Sequence, residues 1–357
     1  MTIINAHLSY LHGHVSMEIS KLRVLGEGTL GTVRLAWVNS QVVVIKSTEL
    51  SKWPALSKEY NLLKKLDGCN EVTQCFGMFN DFEDGKEYCN LLLEYASGGS
   101  LDDHIKNHQG GCLPENENMV RKYILMLLRG LSAIHQKGIV HCDLKPANIL
   151  VFPNEDGICR LKIADFGNAR TVRFRNSRKF KIVGTPLYMS PESVALGEIM
   201  PPLDVWSLGC IIIEMLTGKR ALQLRSLKDL ITYLAFTNEA PSIPENMSTI
   251  GRQFLEKCFV RNPKERWTAD MLLNHPYMFN FAYPLSFHKI IKSNLSTCAS
   301  PPCGCSPVSS CCCPDCSSYF SGNILRQAHM PYSFHIPSYD LWSPKINFSR
   351  LLESFKD

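Results

Sequence analysis

Long apolar runs are missing from this chain of 357 residues. No stretch of about 18 uncharged hydrophobic residues occurs, which excludes a membrane-spanning helix on length. The opening MTIINAHLSYLHGHVSMEIS has no basic start leading into an apolar run. A secretory signal is therefore not expected, and a soluble protein of the cytoplasm and/or nucleus is the default. A large charge excess is missing too. Thirty-eight Lys and Arg stand against 33 Asp and Glu, a formal +5, too little by itself to argue for nucleic acid. The 15 cysteines do not form an even lattice. Seven crowd between Cys298 and Cys316, and eight scatter over 1–297, several inside apolar runs where free Cys acts as a small hydrophobe. A uniform disulfide scaffold is excluded. No internal repeat is found.

What is present suffices for a sizeable core: 45% of residues are hydrophobic and 20% charged, which argues against wholesale disorder. Three zones follow. Residues 1–17 carry no firm period and read as an N-terminal extension. Residues 18–280 alternate strand-like and helix-like segments. Residues 281–357 form a Cys/Ser/Pro-rich tail without a long amphipathic period, expected to be a flexible regulatory segment.

The central zone begins with antiparallel strands: Lys21–Leu25, Val33–Trp37 and the β-branched Gln41–Ile45. A helix is predicted over Ala55–Leu66, with apolar residues at 56, 60, 62, 63 and 66. Two more strands cover 72–79 and 88–94. The pattern then turns helical: Leu101–His108, Glu115–Gln136, Val205–Leu216, Leu227–Leu234, Gly251–Phe259 and Thr268–Asn274, with short strands at 149–152 and 160–163. Val205–Leu216 is almost wholly apolar, the mark of a buried helix. The expected fold is α+β and bilobal: a sheet-rich lobe (18–94), a hinge (94–99) and a mainly helical lobe (100–280). The cleft between them is a favoured ligand site.

Gly26-Glu27-Gly28-Thr29-Leu30-Gly31-Thr32-Val33 would let backbone approach phosphates closely, or would simply make a tight hairpin. A strand follows rather than a helix, which disfavours the dinucleotide version of the motif. Lys46 ends the run VVVIK, as a solvated strand end or as a phosphate contact. Glu59 lies mid-helix, on the surface or paired with Lys46. The informative stretch is His141-Cys142-Asp143-Leu144-Lys145-Pro146-Ala147-Asn148, followed by Asp165-Phe166-Gly167. Phosphoryl transfer needs one carboxylate aimed at a hydroxyl and oxygen ligands for a metal on the nucleotide. Asp143, Asn148 and Asp165 supply that set.

On these residues, 18–280 resembles the eukaryotic protein kinases. The resemblance implies transfer from ATP with Mg²⁺ (or Mn²⁺). It puts Asp143, Lys145, Asn148, Lys46 and Thr185 at catalytic positions. Gly26, Glu27, Gly28, Gly31, Val33, Lys46, Glu59, Leu93, Glu94 and Ala96 fall around the nucleotide, and Asn148 and Asp165 on the metal. Leu93 matches the gatekeeper, though it also reads as strand core. Lys145 and Thr185 carry the serine/threonine signature. Ser190-Pro191-Glu192 closes an activation segment that starts at Asp165, Asp204 anchors the catalytic loop, and Arg266 pairs with Glu192. LLLEYASGGSLDDHI, GTPLYMSPE and DVWSLGCIIIEMLTGK are similar to the mitogen-activated protein kinase kinase kinases, and to the short single-domain plant members in particular. That likeness implies a downstream protein kinase kinase as substrate, in stress or abscisic-acid signalling. The alternatives are a Ser/Thr kinase outside that cascade, or a pseudokinase-type scaffold.

Two departures stand out: Cys142 replaces the usual arginine that holds a segment phosphate, and Asn168 replaces a more common Leu. Arg170, Arg173, Arg175, Arg178, Lys179 and Lys181 follow with no acid from 169 to 191. They make either a solvated loop or a surface for an acidic or phosphorylated partner. No aromatic platform accompanies them, so nucleic acid is not expected. Cys298, Cys303, Cys305, Cys311, Cys312, Cys313 and Cys316 suit a linker, a redox or lipidated segment, or a zinc site; one CxxC is too little to choose zinc. Oligomeric state stays open.

Overall fold

The computed structural model describes residues 2–10, 13–28, 31–39, 41–107, 117–154, 159–172, 183–224 and 226–279. Thr29, Leu30, the basic residues from Arg173 to Lys181 and the tail cysteines lie outside these.

The first lobe is a six-stranded antiparallel sheet built from β1 (Thr2–Tyr10), β2 (Gly13–Gly28), β3 (Gly31–Val38), β4 (Gln41–Glu49), β5 (Cys75–Glu83) and β6 (Lys86–Glu94). The spatial order is β1-β2-β3-β4-β6-β5. Ile19, Ala36, Val38, Val43, Ile45, Phe79 and Leu92 form a buried cluster of this sheet. The one helix of the lobe, α1 (Trp53–Lys65), is entered through a short 3₁₀ turn at Leu50–Lys52. Pro54 in its first turn and Lys64 and Lys65 in its last suit the ends they occupy. Leu56, Glu59, Leu62 and Leu63 form its buried face, which takes one carboxylate inside.

The N-terminal extension corrects one expectation. Residues 2–10 pair along their whole length with 13–21 as an edge strand, and Ile4-Asn5-Ala6-His7-Leu8-Ser9-Tyr10 alternates apolar and polar residues at the period of a strand. The two-residue period is thus present in the sequence, and the expectation of no firm period there was mistaken. β1 also lies against β5, the other edge of the sheet. Lys21 of β2, 2% exposed, pairs with Asp81 at 2.6 Å and Glu83 at 2.9 Å, and Arg34 joins Glu83 at 2.9 Å.

The second lobe comprises α2 (Leu101–Asn107), α3 (Glu117–Gln136), the strands β7 (Ile139–Val140), β8 (Ile149–Phe152), β9 (Arg160–Ile163) and β10 (Arg170–Thr171), then α4 (Pro191–Leu196), α5 (Pro202–Thr217), α6 (Leu227–Phe236), α7 (Thr249–Cys258), α8 (Ala269–Leu273) and α9 (Pro276–Phe279). α4, α9 and the two-residue ladder β7–β10 were not predicted; each is too short to show a period. In α5 every residue from Leu203 to Met215 is buried, as its apolar run demanded. Burying each large apolar side chain contributes roughly 1.5–3 kcal/mol. Gly218, in the left-handed region, ends it with its N–H on Glu214 C=O. α6, α7 and α8 each start on a hydroxyl: Ser226, Ser248 and Thr268 accept from the N–H of Asp229, Gly251 and Met271. The packed lobe presents two loops: 141–148 between β7 and β8, and 164–169 between β9 and β10.

Candidate active site

Across the first lobe, Gly26, Val33 and Lys46 are successive cross-strand partners on β2, β3 and β4. A Cβ added at Gly26 or Gly28 would stand in open space, so backbone there is free to meet a ligand. Gly31 is glycine for another reason: its φ is +139° and a Cβ would fall 1.8 Å from the Ser47 carbonyl oxygen. Glu27 sits at the strand end opposite Thr32.

Lys46 Nζ donates to Glu59 Oε1 at 2.9 Å, to Glu59 Oε2 at 2.8 Å and to Asp165 Oδ1 at 2.8 Å. One ammonium thus serves two carboxylates. Burial works against the charged Lys46, but Glu59 and Asp165 outweigh it and raise its pKa. Burial also acts first on both acids. In Asp165 the neighbouring Lys46 overcomes it, and the pKa falls. In Glu59, only 2% exposed, burial prevails and the pKa rises.

The loop after β7 carries Asp143, which is 7% exposed. Thr185 Oγ1 donates to its Oδ1 at 2.6 Å. Its Oδ2 accepts from Lys145 Nζ at 3.2 Å, Asn148 Nδ2 at 3.3 Å and Asn168 Nδ2 at 3.3 Å. Lys145 also donates to Thr185 Oγ1 at 2.9 Å, and Asn148 to the Asp143 carbonyl at 2.9 Å. Cys142 and Asp165 hold φ of 66° and 61°, a conformation that costs about 1–3 kcal/mol per non-glycine residue. The surroundings enforce it. Buried Asp204 accepts from the N–H of His141 at 2.8 Å and of Cys142 at 3.0 Å, and contacts His135 Nε2 at 2.9 Å. His141 reaches the Ala164 carbonyl at 2.9 Å and packs edge-on against Phe166, tying the two loops together. Gly184, with φ of +116°, passes so close that a Cβ would lie 2.4 Å from the Cys142 carbonyl oxygen. At the far end of the segment Arg266 holds Glu192 by two bonds, 2.7 and 2.9 Å.

The hinge residues are less uniform. Leu93 is half-buried on β6 and packs on the main core. The Ala96 carbonyl accepts from Gly99 N–H at 3.3 Å. Glu94 does more than the backbone role expected of it. Both its carboxylate oxygens accept from Lys162 Nζ at 2.7 Å, and Oε1 accepts from Gln74 N–H at 2.6 Å. Lys162, buried on β9 between Leu161 and Ile163, was missed, although a lysine inside the apolar run LKI was a signal that it needed a buried partner. The Asn168 contact to Asp143 was missed as well. Of the basic run only Arg170 is described, and its guanidinium caps the carbonyls of Gly167, Asn168 and Ala169 at 3.4, 2.9 and 3.0 Å.

The open face at Gly26 and Gly28, the ammonium of Lys46 and the 45% exposed Asp165 carboxylate fit a polyphosphate carrying a divalent cation. Among the described residues no cluster of three or more His, Cys, Asp or Glu is set to hold a metal. Asp165 and Asn148 are the residues here that could hold a divalent cation, together with the nucleotide's own oxygens. No helix among the described residues is long and apolar enough to cross a membrane.

Comparison with known proteins agrees with this geometry. Mitogen-activated protein kinase kinase kinase 20 of Arabidopsis thaliana is 42% identical over 276 residues, covering 73% of this chain and 78% of that protein. Mitogen-activated protein kinase kinase kinase 17 of the same plant is 36% identical over 269 residues, covering 73% and 70%. The cytokinesis protein sepH of Aspergillus terreus is 36% identical over 262 residues, 72% of this chain but 18% of its own length. The family description "Protein kinase domain" matches residues 19–278, and the chain belongs to the protein kinase family as a serine/threonine kinase that uses ATP and a divalent metal.

Proposed function

We propose that this kinase transfers the γ-phosphoryl group of Mg-ATP to a Ser or Thr hydroxyl of a mitogen-activated protein kinase kinase. The observation that carries the chemistry is the bidentate Lys46–Glu59 contact, closed at the same time onto Asp165. Lys46 grips nucleotide phosphates, and Glu59 fixes where its ammonium points. Asp143 accepts the proton of the acceptor hydroxyl and aims it. Lys145 neutralises charge on the group in flight, and Thr185 keeps Asp143 and Lys145 in register. Asn148 and Asp165 would hold the metal, which when bound would supply positive charge to the phosphate oxygens. Gly26 and Gly28 leave room for the phosphates, while Val33, Leu93, Glu94 and Ala96 border the base.

The names of the two Arabidopsis relatives support the substrate class, and the motif likeness to the plant group supports a setting in stress or abscisic-acid signalling. A kinase outside that cascade is the second reading, favoured by the 36% identity to a fungal cytokinesis protein, which matches that to kinase kinase kinase 17 though not the 42% to kinase kinase kinase 20. Transfer of labelled phosphate to a panel of inactivated protein kinases separates them. Preference for kinase kinases by about tenfold or more in kcat/KM supports the first reading; equal or better use of other kinases overturns it.

A further inference from the structure

Asp143 is held from both ends of the segment that starts at Asp165. Thr185, near its end, donates to Oδ1 at 2.6 Å; Asn168, three residues past Asp165, donates to Oδ2 at 3.3 Å. Oδ2 also meets Lys145 and Asn148. A carboxylate oxygen has two lone pairs, so three donors crowd it, and an arriving hydroxyl must take the place of one. Lys145 and Asn148 have duties toward phosphoryl and metal. Among the described residues the Asn168 side-chain amide donates to Asp143 alone. Cys142, next to Asp143, carries no charge: its thiol donates to the Val140 carbonyl at 3.4 Å, and burial pushes its pKa well up. The catalytic loop therefore has no cation at position 142 with which to feel the segment.

We propose that Asn168 is a positioning residue for Asp143. Its amide, as a hydrogen-bond donor, fixes the carboxylate and couples the start of the segment to the base directly, where relatives of the usual pattern have an arginine at the place of Cys142. This rests on the reading of Asp143 as the acceptor of the hydroxyl proton.

The test uses full-length protein with Asn168→Ser, Asn168→Leu and Asn168→Asp, and Asp143→Asn in parallel. Nucleotide affinity is titrated and steady-state transfer is measured for each. Ser keeps a donor, Leu removes it, and Asp keeps the shape while turning the donor into a carboxylate facing another. The expected order of kcat is Asn, Ser, Leu, Asp. Leu falls about tenfold or more, Asp falls further, and nucleotide affinity and KM for ATP change little. A packing role would place the isosteric Asp nearest to wild type. Asn168→Asp or Asn168→Leu within about twofold of wild-type kcat, or losses that appear in KM for ATP instead, overturn the proposal. If Asn168→Asp does not fold, Ser against Leu still decides donor from filler. Near wild-type turnover of Asp143→Asn would instead overturn the base assignment on which the proposal rests.

Discussion

Arg266 and Glu192 stand 74 residues apart in sequence and meet through two parallel hydrogen bonds of 2.7 and 2.9 Å, with side chains 0% and 2% exposed. The guanidinium also donates to the Val260 and Pro202 carbonyls and lies over the Trp206 ring. The pair ties α4, which closes the segment, to the stretch between α7 and α8, and the same guanidinium reaches α5 at Pro202 and Trp206. Breaking a buried pair from one side leaves an uncompensated charge and costs about 3–5 kcal/mol. Arg266→Ala should lose that much in urea denaturation. Arg266→Lys should recover little of it, because an ammonium cannot make the parallel contact.

Lys46→Met should cut transfer by at least about 100-fold, through loss of the phosphate grip. It should also change how stability depends on pH. Burial already raises the Glu59 pKa against the pull of Lys46, and without Lys46 it rises further. Between the ordinary carboxylate pKa and that raised value the folded state holds a proton that the unfolded chain has released, so stability falls as pH rises through this window. The deficit of the variant relative to wild type should be larger at pH 7 than at pH 5 in paired denaturation curves.

Lys58 sits beside Glu59 on α1. Burial first, and then the nearby Arg170, push its pKa down to about 8. Between about pH 8 and its unfolded value near 10.5 the unfolded chain binds the extra proton, so this group adds stability as pH rises and removes it as pH falls through 8. The group is partly exposed, so solvent screening keeps the effect small, under about 1 kcal/mol. Lys58→Met should therefore be slightly more stable than wild type at pH 7, and the difference should shrink by pH 9.5. A difference that grows with pH would contradict the assignment.

The contrast between what could and could not be read in the chain is one of range. Gly26, Gly28, Asp143, Asn148 and Asp165 lie within short stretches, so they stand out as candidates in a one-dimensional pattern. The α1 helix followed from a 3.6-residue period, although the apolar positions 56, 60, 62, 63 and 66 did not themselves place Glu59 on the buried face. The Glu94–Lys162 clamp joins residues 68 apart and the Asn168–Asp143 bond residues 25 apart; no local rule encodes either. The same holds for Lys21 with Asp81, whereas β1 was legible in the alternation of residues 4–10 and was passed over. The left-handed Cys142 was illegible because two residues distant in sequence, Asp204 and Gly184, surround it.

Residues 281–357 should be dispensable for transfer, since each residue assigned to the chemistry, and Arg266 with Glu192, lies before them. Full-length protein and residues 1–280 should phosphorylate a peptide at the same rate and melt at the same temperature. An inactive or insoluble truncation would show that the tail belongs to the folded kinase. Zinc analysis of the full-length protein decides whether Cys298–Cys316 holds metal.

The central claim is that Asp143 orients the acceptor hydroxyl while other residues hold the nucleotide. The direct measurement is nucleotide titration and single-turnover transfer on Asp143→Asn. The account predicts nucleotide affinity within about threefold of wild type and transfer slower by about 100-fold or more. Transfer at near the wild-type rate, or a loss of nucleotide affinity that accounts for the whole defect, would contradict it.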